Sequence, residues 1–197
     1  MRQRAGARRH VRIIGGDRRG RQLQAPPGSV TRPTADRVRQ ALFDMVLHAS
    51  WGGRDAVEGV AVLDGFAGTG ALGLEALSRG AASCAFFERD RAALAALRVN
   101  ITACRKEDAS RVFAGDILAP PKAVNPCGLV FLDPPYGKGL PALALNALTA
   151  RGWIAPDALV IVETAKDEAP PVDTVEILFE RVHGAARLWG WRAGGHG

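Results

Sequence analysis

Between residues 60 and 163, short apolar runs alternate with longer segments in which apolar residues recur every three or four positions. Val60–Asp64, Ala82–Phe87, Arg111–Ala114, Leu129–Leu132 and Ala158–Glu163 read as strands, most of them buried on both faces. Ala71–Arg79, Arg91–Cys104 and Leu140–Ala150 have helical length and period, with Asp90 placed to cap the second and Gly80 to close the first. This β-α-β-α order predicts a mainly parallel sheet covered on both sides. Val172–Arg181 and Ala185–Arg192 predict a closing antiparallel pair joined around Gly184. Ahead of the repeat, Val11–Ile14 and Gly20–Gln24 flank the turn Gly15-Gly16-Asp17 and predict a small hairpin. Ala25–Ser29 is a connector. Ala35–Leu47 then carries Val38, Ala41, Leu42, Met45 and Val46 on one helical stripe, with Thr34 as N-cap and Arg37 and Arg39 off the stripe. Trp51–Gly59 reads as a loop.

The ends of these strands carry the chemistry. Leu129–Leu132 runs into Asp133-Pro134-Pro135-Tyr136, the only tyrosine in the chain. Proline cannot donate to a ladder, so the pair takes the chain out of the sheet. A carboxylate, outward carbonyls and an aromatic ring are thereby presented at a strand's carboxyl end, where open α/β sheets bind ligands. An exocyclic amine on a flat base suits this set: Asp133 and the Pro134 carbonyl accept its two N–H groups, and Tyr136 stacks on the ring. A surface loop is what a bare Asp-Pro-Pro would most often be. The first strand ends in Asp64-Gly65-Phe66-Ala67-Gly68-Thr69-Gly70, a turn that lets backbone approach a small ligand. Gly68 to Gly73 also fits Gly-x-Gly-x-x-Gly, with Glu88 placed 20 residues after Gly68, so a nicotinamide-dependent oxidoreductase is a competing reading. S-adenosylmethionine is favoured over it by Asp64, which suits a cationic amino-acid end, by Asp116, which can accept from an adenine amine, and by Asp-Pro-Pro-Tyr, which has no obvious use in hydride transfer.

Charge changes the picture further. The chain has 197 residues and a net charge of +6, but residues 1–40 hold eleven arginines against Asp17 and Asp36, giving +9 and leaving −3 for the remainder. A basic front on a mildly acidic body points to a polyanion. Residues 1–10 are expected to be a disordered basic tail, in preference to an organelle transit peptide. No apolar run approaches the ~18 residues of a membrane span, and no secretory signal is visible. Cys84, Cys104 and Cys127 read as buried free thiols in a reducing, cytoplasmic setting. The four histidines are scattered, so no metal is expected.

Taken together, these residues identify a family resemblance. Asp64–Gly70 resembles motif I of class I S-adenosylmethionine-dependent methyltransferases, and Asp133–Tyr136 resembles their amino-methylating motif IV. Arg12-Ile13-Ile14-Gly15-Gly16, Arg19-Gly20-Arg21, Arg32-Pro33-Thr34, Asp36–Arg39 and Gly70–Gly80 narrow the resemblance to the RsmD family of bacterial 16S ribosomal RNA guanine-N2 methyltransferases, over residues 11–192. The resemblance implies a Rossmann-like α/β fold: a seven-stranded, mainly parallel sheet with an antiparallel last strand, plus an N-terminal β-hairpin and helix. It divides the chain into an RNA-contacting extension, 11–50, and an S-adenosylmethionine-binding catalytic domain, 51–197. Asp64, Gly65, Phe66, Gly68 and Gly70 would hold the methionine part, Glu88 the ribose, and Asp116 the adenine. Asp133, counted with the cofactor set as well, would orient the guanine amine together with Pro134 and Pro135. Tyr136 would stack; some relatives carry Phe there, so its hydroxyl is assigned no role. Arg12, Arg18, Arg19, Arg21, Arg32, Arg37 and Arg39 would grip RNA. The implied partner is 16S ribosomal RNA or a small-subunit assembly particle, bound by a monomer. Removing residues 1–39 is expected to abolish RNA activity and spare cofactor affinity. A DNA adenine or cytosine amino-methyltransferase remains the nearest competing enzyme, since motif IV does not distinguish the bases. A non-catalytic RNA-binding protein is the third class.

Overall fold

Both short N-terminal runs pair. In the computed structural model, which describes residues 11–26, 33–173 and 175–194, Val11–Arg12 (β1) and Gln22–Leu23 (β2) form an antiparallel hairpin, with Val11 opposite Leu23. Residues 1–10 and the Ala25–Ser29 connector beyond Pro26 lie outside the described residues. Pro33–His48 (α1) begins two residues before the expected start, so Thr34 falls inside the helix instead of capping it.

The main sheet is formed by Ala61–Gly65 (β3), Ser83–Glu88 (β4), Ser110–Ala114 (β5), Cys127–Leu132 (β6), Ile154–Ala165 (β7), Ile177–His183 (β8) and Ala186–Arg192 (β9), in the order β5-β4-β3-β6-β7-β9-β8. β3 to β7 are mutually parallel, and β9 runs antiparallel to both of its neighbours. β7 starts four residues earlier than expected, because Ile154 pairs with Cys127 across a register shift. β8 starts later than Val172: Ile177 already faces Trp191, one residue from the end of β9, so the stretch before it has no partner strand.

Strand side chains alternate between two cores. Val62, Phe131 and Ile161 pack with the hairpin, α1, Ala71–Ser78 (α2) and Arg91–Cys104 (α3) on one face. Leu63, Val130, Val160 and Val162 pack with Leu140–Ala150 (α4) and Trp153, Trp189 and Trp191 on the other. Continuous apolar strands result because both faces are covered. Asp90 caps α3 by accepting from the Ala93 N–H at 2.8 Å, and Gly80 closes α2 at φ 102°.

The hairpin is part of this core. Ile13 and Leu23 are fully buried beside Phe43 and Leu74. The N–H groups of Ile14 and Gly15 donate to the two oxygens of Glu75 on α2, at 2.8 and 2.7 Å. Gly16 lies so close that a Cβ would stand 1.7 Å from the Ser78 carbonyl oxygen. Asn100 accepts from the Gln24 N–H and donates to the Gln24 and Thr69 carbonyls. The hairpin and the start of α1 are therefore structural members of the body, and removing them would expose the core around α2. Among the described residues no helix is long and apolar enough to cross a membrane, no group of three or more His, Cys, Asp or Glu could hold a metal, and the three cysteines are buried and free.

Candidate active site

Strand order reverses between β3 and β6, and ligands of open α/β sheets bind at such a switch point. Registry decides which side chains meet there. Gly65 faces Leu132, Leu132 faces Val162, and Glu88 faces Ala114. One step past these pairs the sheet edge brings together Phe66, Asp133 and Glu163, with Gly115 and Asp116 beside Glu88.

Two cavities open on this edge. The first, of about 420 Å³, is lined by Phe66, Phe87, Glu88, Asp116, Ile117, Asp133, Pro134 and Pro135, among others. Glu88 is held by backbone: one oxygen accepts from the Gly68 N–H at 2.8 Å, the other from Arg89 and Asp90 at 2.7 Å. Three of a carboxylate's roughly four acceptor positions are thus used, leaving capacity for a hydroxyl donor. Asp116 accepts from the Leu118 N–H and pairs with Arg89 at 3.3 Å across the mouth. Phe87 is braced by Phe113 and Trp153, with ring centroids 4.8 and 5.0 Å away.

The glycine turn lies behind this cavity. A Cβ on Gly65 would stand 2.5 Å from Leu132 Cδ2 and 2.6 Å from Ile117 Cδ1, so only glycine leaves this passage open. Phe66 and Gly68 both take positive φ, 61° and 55°. Gly70, at φ 77°, starts α2 against Leu97. Asp64 does not line the cavity. It is 2% exposed and accepts from the Gly73 N–H at 2.8 Å. Burial raises its carboxyl to about 8, opposed by that hydrogen bond and assisted by the Asp133 and Glu88 charges. At the α2 N-terminus, which would receive a pyrophosphate in a dinucleotide enzyme, the Gly73 N–H is thus already taken by a side chain. A cavity rimmed by carboxylates and bare backbone fits a cationic, hydroxyl-rich, aromatic ligand such as S-adenosylmethionine better than it fits an anionic one.

The second cavity, of about 440 Å³, has mainly apolar walls: Val38 and Leu42 from α1, Leu72 from α2, Ile161 and Leu188 from the sheet. Its polar rim includes Thr69, Asp133, Tyr136, Glu163 and His183. Asp133 is the residue common to both cavities. It is reachable from the cleft yet has protein on most sides. That desolvation, then the charge and side-chain hydrogen bond of Glu163, raises its carboxyl to about 7. The Tyr136 hydroxyl donates to Glu163 Oε1, so the ring is held over the cavity mouth. Glu163 was not singled out from sequence, although it follows an apolar run just as Asp64 and Glu88 do. Arg89, Phe87 and Ile117 were likewise missed.

The arginines separate into two kinds. Arg12, Arg19, Arg21 and Arg37 are exposed, and Arg18, Arg19 and Arg21 line a shallow cavity at the hairpin turn. Arg18 is partly committed, donating from Nε to the Cys104 carbonyl at 2.6 Å. Arg39 departs from expectation: it is buried, bonded to the Arg12 carbonyl and to Asp36 at 3.0 Å, with Nε 3.6 Å from Glu75. It belongs to the packing of α1 on α2 and also lines the second cavity, so it is not displayed on the outer surface with the other arginines. Arg32 lies outside the described residues.

Comparison with known proteins agrees with this architecture. Residues 11–192 match the family model described as conserved hypothetical protein 95. The chain is 38% identical over 161 residues to ribosomal RNA small subunit methyltransferase D of Escherichia coli (strain K12), covering 82% of this chain and 78% of that one. It is 37% identical over 170 residues to the Haemophilus influenzae protein of the same name, covering 84% of each. The solved structure of yhhF from Escherichia coli superposes with a TM-score of 0.78 at 36% identity, covering 93% of this chain and 98% of that one.

Proposed function

The chain belongs to the RsmD-like methyltransferase family, and from that premise we propose that it methylates the exocyclic N2 amine of a guanine in 16S ribosomal RNA, using S-adenosylmethionine. The observation that carries the reading is the position of Asp133 as the residue shared by a carboxylate-rimmed cavity and a mainly apolar-walled one. A donor held in the first and a base held in the second would meet at that side chain.

On this reading Glu88 takes the ribose hydroxyls, Asp116 the adenine amine, and the Gly65–Gly70 turn admits the methionine part. Asp64 acts indirectly, by anchoring Gly73 and with it the start of α2. S-adenosylmethionine, when bound, supplies an electrophilic methyl group: the amine lone pair forms the new N–C bond as the S–C pair returns to sulfur. Asp133 and the Pro134 carbonyl accept the two amine N–H groups, aim the lone pair and favour the positive charge developing on nitrogen. The proton then leaves to Asp133 or to water. Tyr136 stacks on the base, worth about 1–3 kcal/mol. The guanine must be unstacked to enter, so a loop or bulge nucleotide of the small-subunit RNA or its assembly particle is the substrate. Exposed arginines of the hairpin and α1 hold the flanking phosphates.

The deciding experiment mixes protein and tritiated S-adenosylmethionine with undermethylated 16S RNA and with small subunits lacking the modification, followed by nucleoside analysis. Label in N2-methylguanosine is expected. No label in either RNA, with cofactor binding confirmed, would point instead to the DNA enzyme or to a non-catalytic binder. Absence of cofactor binding would return the Gly68–Gly73 turn to the dinucleotide reading.

A further inference from the structure

Asp-Pro-Pro-Tyr accounts for an amine but not for which base carries it. Adenine, cytosine and guanine all offer an exocyclic N–H pair. They differ in the ring atom next to it: N1 of adenine and N3 of cytosine are bare acceptors, whereas guanine N1 carries a proton. A site that reads this atom needs an acceptor beside Asp133.

Glu163 stands there. Parallel pairing of β6 with β7 puts Leu132 opposite Val162, so Asp133, one residue past the end of β6, lies beside Glu163, which stays in β7 opposite Leu188 of β9. Both line the second cavity. Glu163 Oε1 is held by the Tyr136 hydroxyl, which fixes the carboxylate relative to the ring proposed to stack on the base. The Tyr136 bond and the side-chain hydrogen bond with Asp133 use two of the roughly four acceptor positions on Glu163, leaving others for a ligand. Two neighbouring carboxylates with apolar walls around them form an edge of acceptors, and what satisfies such an edge is a ligand with adjacent donors. Desolvation first, and then the neighbouring Glu163 charge, raises Asp133, and a donor pair on the base would offset both.

Building on the guanine-N2 reading above, we propose that Glu163 is the specificity-determining residue: its carboxylate accepts from guanine N1–H while Asp133 and the Pro134 carbonyl hold the N2 amine. Adenine or cytosine placed with its amine at Asp133 would aim a lone pair at Glu163 and be excluded by repulsion as well as by the missing bond. The hydroxyl of Tyr136, given no role by sequence, acts here as the positioning group for Glu163.

The test uses the full-length protein and small-subunit RNA ligated to carry either guanine or 2-aminopurine at the nucleotide labelled in the transfer assay. 2-Aminopurine keeps the 2-amine but has a bare N1. Wild type should prefer guanine on the order of 100-fold in kcat/KM, as expected when an acceptor that the bound base would cover loses its donor. In Glu163→Gln the side-chain amide can donate to a bare N1, so the preference should shrink to within about tenfold, with S-adenosylmethionine affinity by calorimetry unchanged. An equal loss on both bases would reduce Glu163 to a structural support of Tyr136 and overturn the inference. Wild type alone also decides: equal rates on guanine and 2-aminopurine would overturn it even if the variant failed to fold. Absence of N2-methylguanosine from the wild-type reaction would instead reject the reading on which it rests.

Discussion

The Ile14 N–H donates to a carboxylate oxygen of Glu75 at 2.8 Å, across 61 residues of sequence. Glu75 is wholly buried and also accepts from Gly15 and from Arg79 Nε at 2.8 Å, with Arg39 at 3.6 Å. One acid thus joins the hairpin, α1 and α2, the helix that begins at the glycine turn.

Glu75→Ala should therefore be severely destabilising. It strands two guanidinium groups and two N–H groups in the core, and breaking a buried pair this way typically costs about 3–5 kcal/mol. Urea titration should show a much lower midpoint. A change within about 0.5 kcal/mol, typical of surface substitutions, would mean the cluster contributes little.

Asp133 gives a pH signature. Its carboxyl is raised to about 7 by desolvation and by Glu163, and in the mechanism we propose only the ionised form accepts both from the amine and, later, its proton. kcat/KM should fall as pH drops below about 7, by close to tenfold per unit, and level off above it. Asp133→Asn should lose activity on the order of 100- to 1,000-fold, comparable to the loss of one charge-stabilising group in other active sites, and its residual rate should lack the acid limb. A limb that survives the substitution would assign the titration elsewhere.

Asp64 gives a stability signature of known sign. Its folded-state carboxyl lies near 8 against an ordinary value of 3.8. Between those values the folded protein keeps a proton that the unfolded chain has lost, so stability falls as pH rises from about 4 to 8. Asp133 contributes in the same direction up to about 7. In Asp64→Asn, whose amide oxygen can still accept from Gly73, the Tm of the cofactor-free protein should decline less between pH 5 and 8 than in wild type. Parallel curves would show that Asp64 titrates normally.

The arginines divide by salt. Arg19→Ala and Arg21→Ala should each weaken RNA binding and reduce the slope of log K against log salt by about 1 for each phosphate no longer neutralised. Arg39→Ala should leave that slope unchanged and instead lower the unfolding midpoint, because Arg39 is spent on Asp36, Glu75 and the Arg12 carbonyl. Filter binding across a salt series separates the two classes.

The local pattern of this sequence was enough for most of the elements and for several of the residues that line the two cavities. Strands buried on both faces write themselves as apolar runs, α3 and α4 begin and end where their periodicity does, and the acids ending β3, β4 and β6 stand out against those runs. What it could not determine was anything that depends on which strands are neighbours. Asp133 meets Glu163 only because β6 pairs with β7 in one register, and that pairing joins residues 30 apart through backbone hydrogen bonds that any sequence can make. Arg39 looked like one more surface cation; it is buried because α2 presents Glu75 to it, a partner 36 residues away. The hairpin looked like an arm, and became core once Ile13 and Leu23 found the face of the sheet that α1 and α2 cover. Periodicity reports what a segment does to water along its own length, while the two cavities and the side chain they share arise from packing between segments and exist only when the sheet is assembled.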